Sequence, residues 1–250
     1  MFRLEGKTAF VTGAATGLGA AISVALAQCG ADVAISDREC QSLEATADAV
    51  SSIGSRVFAV DMNVADPDHT NSVLADVSRR FGGIDILVNN AGINVPLSGL
   101  EVTESNWDEH FSVNVKGGFF AAQAVAPGMI ERGWGRVIFI SSQSGLVGIP
   151  GQPVYCATKG AVNQLVRTLG VEWAKHGITV NAVAPTFVET NLTRQRLENQ
   201  EFRSFVLNKI PCGQLATPEH IGAAVAYLAS EEAAMVNCDI LRVDGGWTAW

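Results

Sequence analysis

The chain has no CxxC pair, no run of lysine and arginine, no proline- or serine-rich linker and no internal repeat. Nor does any apolar stretch reach the ~20 residues of a membrane span. Each absence excludes something. The five cysteines, at 29, 40, 156, 212 and 238, are odd in number and scattered, which argues against a disulfide framework and a zinc site and marks them as small buried residues. The four histidines, at 69, 110, 176 and 220, are as dispersed, so no metal site is expected. A net charge of −8 without a basic face makes nucleic acid an unexpected partner. The opening MFRLEGKTAFVTG lacks the basic start and long apolar core of a signal peptide. The expectation is a cytoplasmic protein with no membrane partner.

What is present is a globular composition, 48% hydrophobic and 17% charged over 250 residues. Short runs rich in Val and Ile, namely KTAFVTG, DVAISD, RVFAVDM, IDILVNNAG, GRVIFISS, ITVNAVAP and DILRVDGG, alternate with longer segments of helical period. Most of these strands are apolar on both faces, which implies a parallel sheet covered by helices on each side. The chain therefore reads as one doubly wound α/β domain spanning residues 1–250. Its one irregular insertion, at about 187–212, follows a strand end, carries a charged amphipathic stretch without a firm cap, and reads as a mobile lid. Pro127 is expected to bend or break the helix that holds it.

The first strand runs into TGAATGLG, which opens a helix. In the turn formed by Gly13, Thr16, Gly17, Leu18 and Gly19, the glycines let the backbone approach a pyrophosphate, and the helix start offers unpaired N–H groups. The second strand ends at Asp37, about 20 residues on, where a carboxylate would bond the adenosine ribose hydroxyls and repel a 2′-phosphate. That favours NAD. Arg38 keeps a second reading open, because its guanidinium can stack on adenine or grip a 2′-phosphate if Asp37 turns aside.

Tyr155 and Lys159, in YCATKG, share one face of a helix. They are either a surface aromatic covering a lysine stem or an activated phenol. At ~4 Å and an effective dielectric of ~20, ammonium and phenolate attract by roughly 4 kcal/mol, lowering a phenol from ~10 by up to about three units before desolvation opposes it.

Taken in order, TGAATGLG, NNAG at 89–92, Asn114, SSQSG at 141–145 and YCATK at 155–159 resemble the short-chain dehydrogenase/reductase family over essentially the whole chain. The resemblance implies a single Rossmann-type domain with a seven-stranded parallel sheet, NAD(P)-dependent oxidoreduction and a homotetramer. It implies Tyr155 as proton donor or acceptor, Lys159 as its cationic neighbour and holder of the nicotinamide ribose, and Ser142 as the group that bonds the reacting oxygen. Asn114 would order a water beside the lysine. Asn90, Ala91 and Gly92 would lie along the adenosine, and Asn63 with Val64 would face adenine where many relatives have an aspartate. Val188 and Thr190, after Pro185, would grip the nicotinamide carboxamide. The family commonly has Pro-Gly where this chain has Pro185-Thr186.

For the substrate, Gln143, Gln152 and Asn94 would suit the extra hydroxyls of a polyol or sugar, with Phe187 as an apolar neighbour, and the closing DGGWTAW resembles polyol and sugar dehydrogenases. The same scaffold carries 3-oxoacyl thioester reductases and broad ketone reductases, for which Leu146, Val147, Ile149 and Phe187 would line an apolar slot. A catalytically silent dinucleotide-binding protein is the reading from another class, but such a protein would have lost Tyr155 or Lys159. Trp247 and Trp250 near the end read as an assembly element or as rings packed on their own subunit.

Overall fold

The computed structural model describes residues 2–190 and 193–249. The seven expected strands all form: β1 (Thr8–Thr12), β2 (Asp32–Asp37), β3 (Val57–Asp61), β4 (Ile86–Asn89), β5 (Gly135–Ile140), β6 (Ile178–Pro185) and β7 (Ile240–Val243). They pair in parallel in the order β3-β2-β1-β4-β5-β6-β7. Every residue of β1, β4, β5 and β6 is buried, while the edge strands β3 and β7 are half open. Double-sided burial explains why the inner strands read as unbroken apolar runs.

Successive strand residues feed opposite faces, as the pleat requires. Ala9, Val11, Val33, Ile35, Val88 and Val183 pack with helices α1 (Gly17–Gln28), α2 (Glu44–Ser52) and α9 (Pro218–Ala229). Phe10, Ala34, Leu87, Val137, Phe139 and Val180 pack with α3 (Pro67–Phe81), α5 (Gly118–Arg132) and α6 (Pro153–Trp173). The strand order reverses between β1 and β4, so the connections leaving the carboxyl ends of these two strands turn to opposite faces of the sheet and open a crevice there.

The expected break at Pro127 does not occur. Helix α5 runs unbroken through Pro127. This proline is exposed, so the carbonyl freed by its missing N–H is on the side that water can reach. Ahead of α5, α4 (Glu104–Phe111) passes through a π-helical turn, Ser112–Gly117. Such turns add one residue to the ring and rotate the side chains that follow.

The segment after β6 is more ordered in pattern than its sequence suggests. It holds α7 (Arg194–Leu197) and α8 (Gln200–Lys209), and α8 has the cap expected to be missing, since the Asn199 side chain accepts the Phe202 amide at 2.9 Å. Residues 191 and 192 of the expected lid lie outside the described residues. Leu197, Val206, Ile210 and Trp247 form a separate small core with Val147, Ile149, Phe187 and Phe202.

Candidate active site

The crevice is a cavity of about 1090 Å³, just above the roughly 300–1,000 Å³ of small-molecule sites, so it has room for more than one ligand. Gly13, Thr16, Gly17 and Leu18 line one side, where β1 turns into α1. Thr16, the residue before α1, makes no side-chain cap, which leaves the first-turn N–H groups free for an anion. Gly13 has φ +64°, and a Cβ there would come within 2.8 Å of Ala91 Cα. Gly19 does not line the cavity. It packs under the turn, where a Cβ would collide with the Gly13 carbonyl and sit 2.6 Å from Asn90 Nδ2. Its contribution is to bring helix and strand together.

Asp37, at the end of β2, accepts the Ala15 amide at 3.1 Å and the Arg38 amide at 2.8 Å, which fixes its carboxylate at the rim of the glycine turn. Arg38 lines the cavity from an exposed position. Asn63 and Val64 line it too, and the Asn63 Oδ1 is turned to its own chain, accepting the Ala65 amide at 3.1 Å. Asn90, Ala91 and Gly92 follow β4 along the floor. Asn90 Nδ2 donates to the carbonyls of Thr12 and Gly13 at 2.9 and 2.8 Å, and Thr12 Oγ1 accepts the amides of Asn90 and Ala91. These bonds lock the ends of β1 and β4 together. Sequence reading missed Thr12, Thr46, whose Oγ1 holds the Ala14 carbonyl at 2.9 Å, and the lining acids Glu104, Asp108 and Glu109.

At the other end stand Ser142, Tyr155 and Lys159, with Pro185, Thr186, Val188 and Thr190 beside them. Ser142 sits just beyond β5 and its Oγ accepts the Ser144 amide at 3.1 Å. Lys159 is 4% exposed, donates from Nζ to the Ile140 carbonyl at 2.8 Å, and lies 5.5 Å from the centroid of the Tyr155 ring. The pair is therefore not a surface decoration. Its electrostatics differ from the simple expectation, however. Burial pushes the Tyr155 phenol up to about 12, opposed by a hydrogen bond with Ser142, and burial pulls Lys159 down to about 8. Desolvation is the largest cause of both shifts.

Asn114 lies in the π-helical turn, and its side chain grips Ile93 twice, accepting the amide at 2.8 Å and donating to the carbonyl at 2.9 Å, with a third bond to Thr158 Oγ1 at 3.2 Å. It does not line the large cavity. With Lys159, Thr12 and Ala91 it lines a separate cavity of about 10 Å³, at the lower limit for one water. Asn94, Gln143 and Gln152, expected at the substrate, do not line the cavity: Gln143 and Gln152 are 2% and 3% exposed, and Asn94 Nδ2 donates to Gln152 Oε1 at 3.0 Å. Phe187 packs against Phe202 and Trp247, in the small core of the segment after β6.

A free helix start beside a glycine turn, a carboxylate at the end of the next strand and this volume fit a dinucleotide. Comparison with known proteins agrees. The family profile described as enoyl-(acyl carrier protein) reductase matches residues 13–248. Gluconate 5-dehydrogenase from Gluconobacter oxydans (strain 621H) is 36% identical over 250 residues, covering 99% of this chain and 97% of that protein. The 3-oxoacyl-[acyl-carrier-protein] reductase of Thermotoga maritima is 37% identical over 244 residues, covering 98% of each. Among solved structures, a putative 2-deoxy-D-gluconate 3-dehydrogenase from Agrobacterium tumefaciens with bound NADP superposes with a TM-score of 0.93 at 40% identity, covering 100% of this chain and 99% of that one.

Proposed function

The chain belongs to the short-chain dehydrogenase/reductase family and is an oxidoreductase acting on CH–OH groups with a nicotinamide dinucleotide, and on that premise we propose that it transfers a hydride between NAD(H) and a polyol or sugar. The observation that carries the reading is the meeting of Ser142, Tyr155 and Lys159 at one end of a cleft whose other end is the glycine turn and Asp37.

When bound, the nicotinamide supplies or takes the hydride. The chain's own residues bind, orient and move the proton. Gly13, Thr16, Gly17 and Leu18 would hold the pyrophosphate, Asp37 the adenosine ribose, Asn63 and Val64 the adenine, and Pro185, Val188 and Thr190 the carboxamide. Tyr155 takes the substrate's hydroxyl proton in oxidation and returns it in reduction, Ser142 donates to the reacting oxygen, and the Lys159 ammonium stabilises the phenolate as it forms. A phenol held near 12 keeps its proton at neutral pH and must give it up before it can take the substrate's, so Lys159 is required to stabilise the phenolate and Asn114 behind it to support a path for the released proton. NAD is preferred over NADP because the fixed Asp37 carboxylate would face a 2′-phosphate. A cytoplasmic location and a homotetramer complete the proposal.

The alternative is a 3-oxoacyl thioester or broad ketone reductase, favoured by the apolar group of Val147, Ile149 and Phe187 and by the likeness to the Thermotoga reductase. The test is a screen of purified protein for NAD-dependent oxidation of polyols, aldoses and simple secondary alcohols, with 3-oxoacyl thioesters and NADH run in reverse. Oxidation of a polyol or sugar well above the simple alcohols is expected. Turnover confined to the thioesters overturns the assignment.

A further inference from the structure

Tyr155, Lys159 and Asn163 recur at every fourth residue of α6 and so share one face of it. The first two line the cleft, whereas Asn163 is 2% exposed and does not. Its amide is directed instead at the segment that carries Ser142. Nδ2 donates to the Gly145 carbonyl at 2.9 Å, and Oδ1 accepts from Ser141 Oγ at 2.6 Å. A carbonyl can only accept, so the Gly145 bond fixes which end of the amide is the donor, and the Ser141 hydroxyl must then give its proton to Oδ1. One buried side chain thereby bonds the residue before Ser142 and the residue three after it.

The serine lies in a frame built on α6. The Gly145 amide returns to the Ser142 carbonyl at 3.0 Å and closes a single 3-10 turn, Gln143–Gly145. This turn rests directly on the helix: a Cβ on Gly145 would come within 2.7 Å of both the Lys159 carbonyl and Asn163 Nδ2. Ahead of the turn, Lys159 Nζ holds the Ile140 carbonyl at 2.8 Å. Inside the frame Ser142 Oγ accepts the Ser144 amide at 3.1 Å, which leaves the hydroxyl proton for Tyr155 or for a reacting oxygen.

A reacting oxygen must meet Ser142 and Tyr155 together, yet the serine follows β5 and the tyrosine stands on α6. Their separation depends on how the serine turn is docked on the helix. A misplacement of ~1 Å between reacting groups can cost ~10²-fold in rate. Resting on the dehydrogenase reading above, we propose that Asn163 is a positioning residue that sets Ser142 against Tyr155 by holding both ends of the serine turn. It acts through Ser142 and moves no proton of the substrate.

The experiment measures kcat, KM and dinucleotide affinity for wild type, Asn163→Leu, Ser142→Ala and the double variant, on the alcohol that the screen above turns over best. Leucine is close in size and bonds neither Ser141 nor Gly145. Asn163→Leu is expected to lower kcat by roughly 10-fold or more, while the Kd for NAD from fluorescence titration changes by less than about 2-fold. In the Ser142→Ala background the same substitution is expected to lower kcat little further, because the group it positions is gone. Ser141→Ala removes one of the two bonds, carries the same expectations at a smaller factor, and replaces Asn163→Leu if that variant does not fold by circular dichroism. An unchanged kcat with a lowered thermal midpoint overturns the proposal and makes Asn163 a brace of the fold alone. Losses that multiply in the double variant, or a loss of NAD affinity as large as that of kcat, overturn it too. These three outcomes leave the dehydrogenase reading standing. A wild-type protein that turns over no alcohol, ketone or thioester with either dinucleotide removes that reading and this proposal together.

Discussion

The Asp37 carboxylate accepts the Ala15 amide at 3.1 Å, which anchors the acid at the end of β2 against the glycine turn rather than leaving it free to swing away. This bond limits the second reading of Arg38, which required Asp37 to turn aside. Asp37→Ala is therefore expected to narrow the ratio of NAD to NADP in kcat/KM by about 10-fold or more, through loss of the ribose acceptor and of the charge facing a 2′-phosphate. Wild-type kinetics that favour NADP would remove the assignment.

Tyr155→Phe keeps the ring and removes the only proton the site is asked to move. Turnover is expected to fall by at least ~10²-fold, with dinucleotide affinity nearly intact by fluorescence titration. Ordinary turnover in this variant on the true substrate would discard the proposed role.

Lys159 links the site to stability. Burial lowers its folded value to about 8 from the ordinary 10.5, so across that window the unfolded chain binds more protons than the folded one, and stability rises with pH. Below about 8 the charged, buried lysine carries its full cost. Lys159→Met should therefore gain in thermal midpoint over wild type most at neutral pH, and the gain should shrink as pH rises from 8 to 10.5. A difference that stays constant over this range would show that the ammonium is not desolvated.

Trp247 packs inside its own subunit, 8% exposed, with ring centroids 5.7 Å from Phe187 and 6.4 Å from Phe205. It therefore clamps the segment after β6, while Trp250 lies outside the described residues. If residues 187–212 act as a lid, amide exchange there should be faster than in β5 and should slow when dinucleotide is added. Trp247→Ala should speed it. Exchange as slow as in β5 without ligand would count against a lid.

Assembly is tested by sedimentation, for which a tetramer is expected at micromolar protein. The exposed Trp107, stacked on Phe111 at 4.8 Å, and Val171, 72% exposed, are apolar surface that a subunit contact would cover. A monomer would rule out the assembly.

Much of this protein is local in sequence, and that part was legible. Short apolar runs such as DVAISD and ITVNAVAP specify buried strands because a strand covered on both faces needs apolar side chains on both. TGAATGLG reads as a phosphate turn because its glycines and the helix start act over a few bonds, and Tyr155 and Lys159 share a face because a helix turns every 3.6 residues. The tertiary structure decided what depends on distance through space. The Asn94–Gln152 contact and the grip of Asn114 on Ile93 join residues with no spacing rule between them. Pro127 is tolerated because of which side of α5 meets water, and Trp247 is internal because two aromatic side chains close over it. The direction of the Tyr155 shift also belongs to the folded state. Spacing announces an attractive charge, but desolvation is set by every atom packed around the phenol, and here it is the largest cause of the shift.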